Sequence, residues 1–162
     1  MQEVIDQFDI KQVSRNSPKF STDDLIRLNG KLLHEMPYSM VKDRLESEGV
    51  DEKLWDIVKG NISVLPNAYE YKEICYSVWE PVIEDPEYIA VARKLLPAAP
   101  WDENTWAQWT GAISAETGNK GKALYMPLRK ALTGMEHGPE MKLLLPIIGY
   151  EKSVARLEGK RA

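Results

Sequence analysis

Cysteine and histidine are nearly missing from this chain, with one Cys and two His in 162 residues. Cys75 alone can close no internal disulfide and build no cysteine zinc cluster. His34 and His137 stand far apart, and no His/Glu pair has the spacing that sets two metal ligands on one helical face. Long apolar runs are missing too: the stretch 143–148 falls far short of the roughly 20 residues of a membrane span. The first residues show neither the basic start nor the apolar stretch of a signal peptide, so a cytoplasmic location is expected. No serine sits in a Gly-x-Ser-x-Gly elbow, and no glycine-rich phosphate cradle ends in Lys-Ser/Thr. The acidic pairs Glu84-Asp85 and Asp102-Glu103 lie beside prolines or helix starts, where carboxylates cap backbone donors rather than transfer protons. No residue stands out as catalytic. A net charge of -4 also excludes the broad basic surface of an unselective polyanion binder, so any such site must be local.

What is present is helical periodicity almost throughout, with 43% hydrophobic residues, enough for one domain or two small subdomains sharing a core. The expected fold is all-α, a two-part helical bundle. A short opening helix is expected over 4–8, then a loop over 13–19 held open by Pro18. Ser21 caps the next helix, with Leu25, Leu28, Leu32 and Leu33 on one face. Helices follow over 39–48 and, capped by Asp51, over 51–65. Pro66-Asn67 is the expected boundary between an N-terminal part, 1–66, and a C-terminal part, 67–162, with a helix over 69–79 able to bridge them. Further helices are expected over 86–96, from Asp102 to Gly118, over 122–132 before Gly134, over 139–148 before Gly149, and over 150–159.

The segment 118–134 holds four basic residues and no acidic one, a basic patch on an acidic protein. Lys120 and Lys122 stand where the chain enters a helix, so lysine charge and free amides can converge on a phosphate. Such contacts position nucleic acid without reading it. The fork of Arg129 can bond two acceptors on one base edge, whereas Arg129 and Lys130 also suit a helix C-terminus with no ligand at all. His137-Gly138-Pro139 adds a bend with exposed backbone beside it. Trp106, Trp109 and Ile113 share a stripe that reads as core, which leaves Trp101 and Tyr125 as the freer stacking candidates.

Pro127-Leu128-Arg129-Lys130-Ala131-Leu132-Thr133-Gly134, then His137-Gly138-Pro139-Glu140 and Leu145-Pro146-Ile147-Ile148-Gly149-Tyr150-Glu151, resemble the C-terminal end of bacterial glutamyl-tRNA synthetases. Lys120-Gly121-Lys122 and the segment 20–33 fit the same family. The resemblance implies an all-helical cage that grips the anticodon loop of glutamate tRNA, acting as a monomer. It places glutamate activation and ATP use in a catalytic domain outside this sequence, so no cofactor is expected here. It also implies that Arg129 reads the first anticodon base and that Gly138 and Pro139 pack the anticodon nucleotides. A second family arginine falls near Asn61, where Lys59 is the nearest replacement for its charge. The competing expectation is a free-standing helical interaction module whose Lys120–Lys130 patch meets an acidic protein.

Overall fold

The computed structural model describes residues 21–162 and, ahead of them, Phe8. The expected loop over 13–19 and all but the last residue of the expected opening helix lie outside the described residues. Among the described residues the chain is all-α and has no strand.

The first helix, α1 (Thr22–Glu35), starts where the Ser21 hydroxyl accepts the Asp24 amide at 3.1 Å. Its leucine stripe does not turn inward as expected: Leu33 is 3% exposed, but Leu28 is 54% and Leu32 57% exposed. The buried line is Gly30 and Leu33, because α1 docks by its backbone. A Cβ at Gly30 would lie 3.5 Å from the Ile62 carbonyl oxygen and the Ser63 Cα. Two side-chain bonds flank that approach, Asn29 Nδ2 donating to the Ser63 carbonyl at 2.6 Å and His34 Nε2 at 3.2 Å from the Ile62 carbonyl.

The helix expected over 39–48 is a 3-10 turn, Tyr38–Met40, followed by the short α2 (Lys42–Glu46). The one expected over 51–65 breaks as well. Asp51 caps α3 (Glu52–Val58), which tightens into a 3-10 turn at Lys59–Asn61. Gly60 and Asn61 are poor helix formers. The Asn67 side chain then accepts the amides of Ser63 and Val64, and Pro66 opens α4 (Pro66–Tyr76) at its first position. Helix α4 buries Ala68, Tyr71, Ile74 and Cys75.

Beyond it, Asp85 caps α5 (Pro86–Lys94), and the Asp102 carboxylate accepts the amides of Asn104 and Thr105 ahead of α6 (Thr105–Thr117). Gly118 and Gly134, both with left-handed φ, end α6 and α7 (Lys122–Thr133). Helices α8 (Met141–Ile148) and α9 (Tyr150–Leu157) complete the chain. Tyr88 ties α5 to α7, its hydroxyl donating to the Leu124 carbonyl at 2.6 Å. Burial pushes that hydroxyl up to about 12, so it stays a donor at any physiological pH.

A charged residue sits at the centre of the packing. Arg156 of α9 is 0% exposed and donates to the carbonyls of Ile74, Leu132 and Ala162 at 2.7–2.8 Å. Ile74 and Leu132 lie in the last turns of α4 and α7, where helix carbonyls have no partner of their own.

Candidate nucleic-acid interface

Helices α6, α7 and α8 present a run of side chains that starts in the core and ends in solvent. Trp109 is fully buried and donates its indole N–H to the Ala92 carbonyl at 2.8 Å. Trp106, one turn earlier and half-buried, meets Trp109 edge-on with ring centroids 5.7 Å apart. Tyr125 of α7 lies 6.3 Å from Trp106 with the two rings tilted by 31°, and it is 46% exposed. The buried indole therefore fixes the half-buried one, which in turn backs an exposed ring.

Two clefts share this aromatic pair. The first, of about 260 Å³, is lined by Trp106, Tyr125, Arg129, Glu140, Met141 and Lys142. The second, of about 450 Å³, runs from the same rings to Lys120 and Gly121 at the start of α7.

Arg129 stands in the first cleft, half-buried, with Nη2 donating to the Pro139 carbonyl at 2.7 Å. Among the described residues no carboxylate forms an ion pair with it. Burial pushes its pKa down, and Tyr71 partly offsets that shift. A guanidinium starts so high that it remains a cation.

The Gly138-Pro139 bend is what fixes this geometry. Gly138 has φ +145°, and a Cβ there would lie 2.7 Å from the Tyr71 hydroxyl and 3.3 Å from Arg129 Nη1. Pro139 is buried. Gly138→Ala is therefore expected to lower stability by about 1–3 kcal/mol, since Tyr71 is itself buried and cannot simply swing away. A urea unfolding midpoint unchanged from wild type would contradict this.

The other residues singled out from the sequence are dispersed. Lys120 borders the second cleft. Lys122 is exposed in the first turn of α7, and His137 is exposed beside the bend. Lys130 is occupied, bonded to Glu136 at 2.6 Å and Glu84 at 2.8 Å. Those two carboxylates raise its pKa, Glu136 the more. Lys59 pairs with Asp56 at 2.6 Å, and Asn61 is exposed at the end of its 3-10 turn. Trp101 lies in a different cleft, of about 490 Å³, with its indole N–H on the Pro97 carbonyl and its ring edge-on to Tyr150. Lys142 lines both that cleft and the Arg129 cleft.

Sequence reasoning missed Trp106, Tyr71, Glu140, Met141 and Lys142 as parts of this site. Trp106 shares its stripe with Trp109 and Ile113, yet it lies in the first turn of α6, where a core-facing stripe reaches the rim. No local signal marks Tyr71, which arrives from a helix more than fifty residues earlier in the chain.

An all-helical body with a cleft of aromatic rings, a guanidinium without a carboxylate partner among the described residues and Lys120 close by is of the kind that suits a nucleic acid. The chain belongs to the anticodon binding domain family, whose model matches residues 51–160. It is similar to glutamate–tRNA ligase 1 of Parvibaculum lavamentivorans, 45% identical over 161 residues. That match takes in 98% of this chain and 36% of the relative. It is also similar to glutamate–tRNA ligase 2 of Methylorubrum populi, at 40% identity over 100% of this chain and 37% of that protein. The fold matches that of a glutamate-tRNA synthetase from Elizabethkingia anophelis, with a TM-score of 0.74 at 17% identity over 97% of this chain and 35% of that one. The chain thus spans about a third of the length of the relatives it matches. Among the described residues no helix is long and apolar enough to cross a membrane.

Proposed function

We propose that this chain is the anticodon-gripping part of a glutamate–tRNA ligase, with amino-acid activation and ATP use carried by the remaining two-thirds of such a protein. The observation that supports this reading most directly is the Arg129 cleft. Its guanidinium is half-buried, steadied by a carbonyl rather than a carboxylate, and opens beside two aromatic rings. A desolvated donor of that kind discriminates between base edges, because an edge without the matching acceptor leaves it unpaired. Lys120 and Lys122 supply charge for the backbone, and the chain acts as a monomer in the cytoplasm.

The interaction-module reading loses ground, because Lys130 is already neutralised by Glu84 and Glu136. Gel-shift titration of the 162-residue chain with glutamate tRNA and with an unrelated tRNA separates the two. Glutamate tRNA is expected to bind more tightly, and log affinity is expected to fall against log salt with a slope of roughly -1.4 to -2.7, from two or three phosphate contacts. Equal affinity for both RNAs would overturn the anticodon reading.

A further inference from the structure

Trp106 and Tyr125 line both clefts of the interface, so the aromatic pair is a wall between them rather than the floor of either. The two sides differ in chemistry. On one side Arg129 offers a forked donor next to the ring faces, while Glu140 is bonded to Lys142 of the same lining at 2.7 Å, so the group that faces a base edge there is the guanidinium. On the other side the cleft is larger, carries Lys120 and Gly121, and has no acidic residue in its lining.

We propose that the Trp106–Tyr125 wall is a stacking platform that separates two successive unpaired nucleotides. One base lies against Tyr125 with its edge toward Arg129, and the phosphate of its neighbour enters the Lys120 cleft. This assignment rests on the tRNA reading above and adds to it the residues that hold the loop in its splayed form. Stacking on an aromatic face needs no particular base, so the wall supplies affinity while Arg129 supplies choice. The platform is stiff before RNA arrives, because Trp109, bonded to the Ala92 carbonyl, backs Trp106 edge-on and Trp106 backs Tyr125. Little side-chain freedom is lost on binding.

The test titrates a fluorescent glutamate-tRNA anticodon hairpin with the wild-type chain, Tyr125→Leu and Tyr125→Phe, with melting curves to confirm folding. Tyr125 is 46% exposed, so neither change should unfold the protein. Leucine is expected to weaken binding about 5- to 150-fold, and equally for hairpins with altered anticodons, whereas phenylalanine keeps the ring and stays within about twofold of wild type. A companion titration uses hairpins with one anticodon base removed at a time. The leucine effect is expected to vanish at one position only, where the ring and the missing base are partners. Wild-type binding left unchanged by Tyr125→Leu, or weakened as much by phenylalanine as by leucine, overturns the platform and leaves the tRNA reading standing. Failure of the wild-type chain to bind the hairpin overturns both.

Discussion

Arg156→Leu is expected to cost about 3–5 kcal/mol of folding stability. The guanidinium of Arg156 serves three carbonyls that converge from the ends of α4 and α7 and from Ala162. Leucine fills part of the space but donates nothing, so the buried carbonyls of Ile74 and Leu132 lose their donor, while that of Ala162 keeps the Trp79 amide at 2.8 Å. For a domain whose whole stability is of the order of 5–15 kcal/mol, that is a large share. A fall in Tm of roughly 6–20 °C follows for a chain of this size. Arg156→Lys should fall between the two, since an ammonium has three donors but not the planar fork that reaches two helix ends and Ala162 at once. Thermal melts followed by circular dichroism decide the matter, and a Tm within about two degrees of wild type for the leucine variant would show that the hub is not what fastens these helices.

Arg129→Ala is expected to act on binding rather than folding. Affinity for glutamate tRNA should drop about 5- to 150-fold, and the preference for the cognate first anticodon base over a variant should narrow with it. The change also leaves the Pro139 carbonyl without its donor, a structural cost of about 1 kcal/mol that melting curves will register separately. The informative quantity is the difference between cognate and variant anticodons. An equal loss on both would mean that Arg129 holds the loop without reading it.

Much of the fold was legible because its punctuation is local. Ser21, Asp51, Asp85 and Asp102 each accept amides two or three residues ahead, and Gly118 and Gly134 take the left-handed turn that ends a helix, as their positions in the sequence predict. Helix faces and breaks were harder to read. The leucines of α1 outnumber its glycine, yet the side of Gly30 and Leu33 is the one that docks, held by Asn29 and His34 on the carbonyls of Ser63 and Ile62, and periodicity weighs only apolar side chains.

The site divides the same way. Arg129 and Gly138-Pro139 are joined by a short turn, so their meeting could be expected from spacing as well as from family resemblance. Lys130 looked equally available, but one of its partners, Glu84, lies 46 residues away and left no trace nearby. Nothing in the sequence singles out Arg156, because its partners are carbonyls 24 and 82 residues distant, and a backbone oxygen has no letter in a sequence.

The tether between Arg129 and Pro139 bears on how this arginine would read a base under the proposed function. A guanidinium on a free stem follows whatever partner is offered and swings aside from a poor one. On the anticodon reading proposed above, a mismatched nucleotide would meet a positive charge held in place by the Pro139 carbonyl, and fidelity would come from refusing the wrong letter more than from embracing the right one.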